Sequence, residues 1–180
     1  MAIDVEPHRF STAEYEELID SGALQELRVE LLDGVITDMS PQGYPHEWII
    51  HSLMRRLAAR DDLMLRVQMT LPVVDGWVPE PDIALAVKPP RPARPTTIHF
   101  VAEVAMSSQR RDRQKADSYA GAGIPRYWIV DIPGERVLEH TDPTPEGYAL
   151  IRPLSGDDVL DTGVEGIATF TVAELLSDVS

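Results

Sequence analysis

Two acidic residues stand in apolar stretches that predict buried β-strands. Asp82 follows Pro81 and opens the stretch IALAV, and Glu103 lies within the stretch IHFVAEVA. Burying a carboxylate is costly unless it is paired, hydrogen-bonded or bound to a metal. If the two strands are neighbours, the carboxylates meet at one edge of a sheet, where a divalent cation offsets their repulsion. Mg²⁺ or Mn²⁺ suits such a site, because Mg²⁺ binds one or two carboxylates and completes its coordination with water and substrate phosphate.

A purely structural explanation of the same carboxylates stays open at this point. Asp82 can cap the end of a strand, and Glu103 can form an ion pair with an arginine. Structural ion pairs are common around buried acids, so position in the sequence alone does not choose between the two explanations.

A basic cluster follows the strand that carries Glu103, and it consists of Arg110, Arg111, Arg113 and Lys115. Lysine is rare in this chain, with two residues against 14 arginines. Lys115 shares one face of the predicted helix with Arg111 and Tyr119, because the three are spaced four residues apart. Its ammonium can therefore return toward the carboxylates and act on a metal-activated water or a phosphoryl oxygen. The alternative is a solvated basic face.

The charge of the chain is distributed unevenly. The net charge is -14, which argues against a protein that coats nucleic acid non-specifically. Residues 55–115 nevertheless carry 11 basic and 7 acidic groups, while the segments 1–54 and 131–180 each carry 2 basic and 11 acidic groups. This basic segment indicates either contact with a polyanion or ordinary surface scatter. The absence of cysteine excludes disulfides, thiol catalysis and cysteine-bound zinc.

Hydrophobic periodicity and turn signals in the sequence predict the helices and strands that must position these residues. Helices are predicted over 11–20, 45–59, 109–121 and 171–178. Strands are predicted in a hairpin over 28–40 that turns at Asp33-Gly34, and over 64–74, 81–87, 98–105, 126–131, 136–142 and 147–153. The proline-rich stretch 88–95 predicts a surface loop. The order predicts one α/β domain over 1–180 with a mixed sheet. No apolar run is long enough to span a membrane and no signal core precedes the domain, so we expect a cytoplasmic protein.

Several stretches in this order resemble the Uma-two family of the restriction-endonuclease-like superfamily, which is named for its PD…(D/E)xK motif. They are VELLDGVITDMSPQGYPHEWII, PD at 81–82, VAEVAMSS and RRDRQKADSYAGAGIPRYWIVD, and the resemblance spans roughly residues 10–150. It implies a mixed central sheet flanked by helices, Mg²⁺- or Mn²⁺-dependent hydrolysis of DNA and a homodimer. It also implies that Asp82 and Glu103 bind the metal and that Glu30 lies near it.

One position departs from the superfamily motif. The motif places lysine two residues after the glutamate, and that position is Ala105 here. The resemblance implies that the lysine has migrated to the following helix as Lys115, where its ammonium can occupy a similar place.

The remaining candidates are weaker. Glu30 either joins the site or faces water from an edge strand, and His46 can bind a metal, position a phosphate or cap the helix at 45–59. The arginines of the basic cluster are expected to contact phosphates. No HxxxH spacing, P-loop or GxSxG motif occurs, which excludes the commonest zinc hydrolases, P-loop enzymes and serine hydrolases. Two alternatives to a nuclease remain: a catalytically inactive binding module with a nuclease fold, and a protein that binds a small anion or a partner.

Overall fold

The computed structural model describes residues 6–39, 42–58, 60–106 and 109–177, and it leaves the side chains of residues 109 and 110 undescribed. The chain divides into two compact units. The first comprises Met1–Ser40 and Thr70–Glu80, and the second comprises Pro41–Met69 and Pro81–Ser180. The single domain over 1–180 stays a prediction. None of the helices in the described ranges is long and apolar enough to cross a membrane.

The first unit contains helix α1 (Thr12–Asp20) and the hairpin of β1 (Val29–Leu32) and β2 (Val35–Asp38). Ser11 begins the helix with a capping box, in which its hydroxyl and the Glu14 carboxylate accept hydrogen bonds from each other's backbone N–H groups. The hairpin turns at Asp33 and Gly34, which have φ values of 51° and 72°. Two successive left-handed residues are what a two-residue hairpin loop requires, so the Asp-Gly signal predicted this turn.

The second unit is built on a six-stranded mixed sheet. The strands lie in the order β3-β4-β5-β6-β7-β8, and only β5 and β6 run parallel. A parallel pair needs a crossover connection, and helix α3 supplies it between β5 and β6. The elements of this unit are α2 (Tyr44–Leu57), β3 (Leu63–Val67), β4 (Ile83–Val87), β5 (Ile98–Ala105), α3 (Gln109–Gly121), β6 (Arg126–Asp131), β7 (Arg136–Thr144), β8 (Gly147–Ser155), β9 (Val159–Leu160), β10 (Phe170–Thr171) and α4 (Val172–Leu176).

The two faces of the sheet carry different side chains. The main apolar core joins one face to α2 and α4, and β5 contributes Phe100, Ala102 and Val104 to it. Because side chains alternate along a strand, Glu103 points to the opposite face. Helix α3 contacts β5, β6, β7 and β8 on that second face. Glu103 therefore lies between the sheet and α3, on the face opposite the main core.

The predicted mixed sheet flanked by helices is confirmed. The strands over 98–105 and 126–131 and the helix over 109–121 have the predicted bounds. The strand predicted over 64–74 forms only in its first part, because β3 ends at Val67 and the next residue, Gln68, turns the chain with a φ of 49°. The short strands β9 and β10 were not predicted, since two-residue strands carry no periodicity.

Candidate functional site

Asp82 and Glu103 lie opposite each other on adjacent strands. In the antiparallel pair of β4 and β5, Ile83 faces Ala102, and the same register continued by one residue sets Asp82 against Glu103. Directly opposed residues point to the same face, with Cβ atoms roughly 4.5–5.5 Å apart. Each residue is only 5% exposed. The backbone N–H of Val104 donates to Asp82 Oδ2 at 2.8 Å, which fixes the aspartate to β5. The register thus places the two predicted acidic residues opposite each other on adjacent chain segments.

Asp82 is held by three further polar side chains. His46, the third residue of α2, lies with its Nε2 at 3.0 Å from Asp82 Oδ2. The amides of Gln68 and Gln42 donate to Asp82 Oδ1 at 3.2 Å and 3.4 Å. His46 is 6% exposed, so it is neither a helix cap on the surface nor a solvated histidine. The first turn of α2 brings the His46 ring to the start of β4, where Asp82 lies.

Gln68 has a backbone conformation that residues other than glycine seldom adopt. Its φ is 49°, in the left-handed region. Its N–H donates to the carbonyls of Pro81 and Asp82 at 3.1 Å and 3.3 Å, and its side-chain amide bonds to Gln42 Oε1 at 2.7 Å. Such conformations persist where surrounding contacts over-determine them, and they cluster at functional sites. The turn at Gln68 ends β3 and directs the amide onto Asp82.

Glu103 receives two donors from one face of α3. Lys115 Nζ lies 3.0 Å from Glu103 Oε1, and the Tyr119 hydroxyl donates to the same oxygen at 3.0 Å. Lys115 is 3% exposed and Tyr119 is fully buried. The four-residue spacing that placed both on one helical face therefore brings both to the carboxylate. Lys115 does not point to solvent, and its ammonium pairs with the Glu103 carboxylate.

Tyr127 lies in the same buried layer. Burial raises the pKa of Tyr127 well above its usual range, and the negative charges of Glu103 and Asp112 raise it further. Its hydroxyl therefore stays protonated and donates to the backbone carbonyl of Asp112 at 3.0 Å. This bond ties the first half of α3 to β6 and so supports the placement of Lys115 one turn later.

The chemistry of this pair fits a magnesium-type ion. Within the described part of the chain, no three histidine, aspartate or glutamate side chains form a group that could hold a metal. Mg²⁺ does not need such a group, because one or two carboxylates suffice when water and substrate phosphate supply the remaining ligands. The buried Nδ1 of His46 has no hydrogen-bond partner among the described residues. A buried polar atom of this kind is normally satisfied by water or a ligand, which favours a hydrated site beside Asp82.

The other predicted residues lie elsewhere or outside the described parts. Glu30, on β1 of the first unit, is 1% exposed, so it does not face water. Its carboxylate accepts a hydrogen bond from the backbone N–H of Glu80 at 3.2 Å. Arg111 is half-buried and Arg113 is exposed on α3. The side chain of Arg110 lies outside the part that the structure describes.

Three side chains that bond to the two carboxylates were not predicted to lie there. Tyr119 shares its helical face with Lys115, and that spacing could have marked it as a partner of Glu103. Gln42 and Gln68 gave no such signal. Gln68 was placed inside a strand that the structure ends one residue earlier, and Gln42 precedes α2 in a segment without periodicity.

Removing the Tyr119 hydroxyl is expected to weaken the site without dismantling it. Tyr119→Phe keeps the buried ring and deletes one donor to a charged acceptor, which typically costs about 1.5–3 kcal/mol. Thermal or urea unfolding measures this loss. The matched control is Tyr148→Phe, whose hydroxyl donates to a backbone carbonyl, that of Ile124, at 2.9 Å and for which we expect a loss of about 1 kcal/mol. Equal losses in the two variants would contradict a charged Glu103 at this contact.

The fold and the site together define an α/β protein in which a buried lysine of α3 pairs with Glu103 of the mixed sheet, and Asp82 lies at the start of the neighbouring strand. A family model described as "Putative restriction endonuclease" matches residues 12–173, and the chain belongs to this family, the Uma-two family. The resemblance found in the sequence is thereby confirmed.

One solved structure supports the fold. It is described as a putative nuclease belonging to DUF820 from Anabaena variabilis, and it superposes with a TM-score of 0.68 at 15% sequence identity. The alignment covers 84% of this chain and 91% of that one. At this identity the likeness concerns the fold alone. No curated protein matches the chain.

Proposed function

We propose that this protein is a metal-dependent endonuclease that hydrolyses phosphodiester bonds of DNA. The observation that carries the proposal is the opposition of Asp82 and Glu103 on neighbouring strands, with Lys115 Nζ 3.0 Å from Glu103. Two carboxylates and one ammonium are the groups that the nuclease motif requires. The chain that carries Asp82, Glu103 and Lys115 belongs to a family whose model is described as "Putative restriction endonuclease".

Each residue of the site has a distinct task in this proposal. Asp82 and Glu103 would hold Mg²⁺ or Mn²⁺, which when bound lowers the pKa of water and stabilises charge on phosphoryl oxygens. The Lys115 ammonium orients the attacking water or stabilises the charge that develops on the phosphate. His46 and Gln68 keep Asp82 in one rotamer, and Tyr119 does the same for Glu103. A site supported in this way loses little energy to reorganisation during reaction.

DNA is favoured as the substrate by the distribution of charge. The basic segment 55–115 contains the site, while the segments on either side are strongly acidic. We expect Arg110, Arg111 and Arg113 to contact phosphates from the helix that carries Lys115, and Glu30 to act near the metal. A homodimer and a cytoplasmic location stay predictions from the sequence.

A second candidate is a binding module with a nuclease fold and no catalysis. The observation that favours it is that protein donors already satisfy both carboxylates, since Lys115 and Tyr119 bond to Glu103 and four donors surround Asp82. A buried ion pair of this quality can be purely structural. The two candidates differ in whether a metal ion produces cleavage.

Incubation with DNA separates the candidates. Purified protein is expected to convert supercoiled plasmid to nicked or linear forms in Mg²⁺ or Mn²⁺, and not in EDTA. Linear duplex and single-stranded DNA are tested in parallel, and a protein carrying Asp82→Asn is the control for contaminating nucleases. Metal-independent binding of duplex DNA without cleavage of any form would support the binding module and overturn the nuclease proposal.

A further inference from the structure

The connection between β4 and β5 is a basic loop, which we define as residues 88–97. It contains four prolines and three cations, Lys88, Arg91 and Arg94, and no acidic residue. All three cations are exposed. Three cations with no acidic residue among them are unusual in a chain with a net charge of -14, so bulk composition does not account for the loop.

The loop is anchored at its base and stiffened along its length. The N–H of Val87 donates to the carbonyl of Thr97 at 3.0 Å, and the N–H of Lys88 donates to that of Asp62 at 3.0 Å. Each proline fixes its own φ and restricts the residue before it. The cations therefore project from a backbone with few accessible conformations, and holding them in place at a ligand costs less entropy than in a flexible loop.

Positive charge is concentrated around this loop. Arg66 on β3 lies close enough to Arg94 for the two charges to interact: burial lowers the pKa of Arg66, and the like charge of Arg94 lowers it further. Beside the loop, Lys88 and His99 border an open cavity of about 550 Å³, whose wall also contains Arg60, Asp62 and Glu165. Arg60 pairs with Asp62 there, and the three cations of the loop itself are exposed.

The loop and the carboxylates lie at opposite ends of the same two strands. Asp82 precedes β4 and the loop follows it. Lys88 is six residues after Asp82, and at a rise of roughly 3.3 Å per residue the two lie roughly 20 Å apart. Successive phosphates of one DNA strand advance by about 3.4 Å along the helix axis, so this distance corresponds to about six base pairs.

We propose that the basic loop is a second contact for the DNA backbone, about six base pairs from the bond that Asp82 and Glu103 address. The inference rests on the proposed DNA substrate and adds a binding surface separate from the arginines of α3. The loop contributes phosphate contacts, and these add to affinity without reading base sequence. Because it is rigid and fixed to the strands that carry the carboxylates, it also sets the direction in which the duplex crosses the sheet.

The salt dependence of binding tests this contact. Fluorescence anisotropy in EDTA measures the affinity for a labelled duplex of about 20 base pairs at several salt concentrations. Arg91→Gln is expected to lower the slope of log K against log salt by about 0.9, and the triple change Lys88→Gln, Arg91→Gln and Arg94→Gln by up to about 2.7. The matched control is Arg28→Gln, an exposed arginine in the acidic segment 1–54, which should leave the slope unchanged.

Each outcome decides one proposal. A triple variant that melts like wild type and keeps the wild-type slope overturns the loop contact. An equal change in Arg91→Gln and Arg28→Gln also overturns it, because it would reflect bulk charge alone. DNA cleavage in the presence of metal would then still support the nuclease. If the slope of log K against log salt falls in the loop variants as expected, but wild type does not cleave DNA in Mg²⁺ or Mn²⁺, the loop contact stands and the nuclease proposal fails.

Discussion

Asp82→Asn is expected to abolish both metal-dependent stabilisation and DNA cleavage while the fold survives. Wild-type protein at a metal concentration 100 times the Kd should gain about 2.7 kcal/mol of stability. At roughly 2–4 °C per kcal/mol for a chain of this size, that gain is a rise in Tm of about 5–11 °C. The variant should show no such rise. Its cleavage rate should fall by about 10³-fold or more, since a bound metal supplies several kcal/mol of charge stabilisation.

The same substitution should cost the metal-free protein only about 1 kcal/mol. The asparagine oxygen can still accept from the Val104 N–H, and the amides of Gln42 and Gln68 can turn their oxygens toward the new nitrogen. Relief of repulsion with Glu103 acts in the opposite direction. A large loss of stability in the metal-free variant would instead favour a structural role for Asp82.

A second buried acid in the same sheet provides the control. Glu139, on β7, is 2% exposed and is held by Arg126 at 2.9 Å and by Arg152. Glu139→Gln removes a buried charge of the same kind and should lower stability by about 1.5–3 kcal/mol. Its metal-dependent rise in Tm and its cleavage should be those of wild type. Wild-type protein that shows no Tm change at saturating Mn²⁺ would contradict the metal site altogether.

The comparison of these two acids shows how much of the site the sequence could predict. Glu103 and Glu139 are both buried, and local sequence does not distinguish them. The interpretation of Glu103 came from Asp82, twenty-one positions earlier, and from the resemblance that joined them to Lys115. In the register of β4 and β5, Ile83 faces Ala102, and the same register continued by one residue places Asp82 opposite Glu103. Spacing on a helix was equally informative for Lys115 and Tyr119.

The contacts that sequence reasoning missed depend on tertiary geometry. Gln68 reaches Asp82 only because its backbone turns in the left-handed region, and nothing in the residues around it signals that conformation. His46 was considered a cap or a ligand, but the packing of α2 on the sheet brings its Nε2 to within 3.0 Å of Asp82. Periodicity reports which face a residue occupies, whereas such contacts depend on how elements meet.

Lys115→Arg is expected to lower the cleavage rate by about 10²–10³-fold, although it preserves the charge. The ammonium lies 3.0 Å from Glu103 Oε1 in a pocket where Lys115 is 3% exposed. A planar guanidinium is larger and spreads its charge over three nitrogens, so it cannot occupy that position without displacing its neighbours. Overpacking should cost about 1–3 kcal/mol, which leaves a folded protein whose charge is displaced from the reacting phosphate.

Arg113→Lys is the matched control for this change, because Arg113 is an exposed cation two residues earlier on the same helix. Exchange of one surface cation for another should leave the rate at saturating DNA unchanged and affect only the affinity, through the phosphate contact. Single-turnover cleavage with enzyme in excess separates the two effects, since it reports the chemical step apart from binding. Near-wild-type cleavage by Lys115→Arg together with a large loss in Arg113→Lys would show that α3 acts through bulk charge. The buried pair of Lys115 and Glu103 would then be a structural ion pair, and the lysine of the nuclease motif would have to be sought elsewhere in the chain.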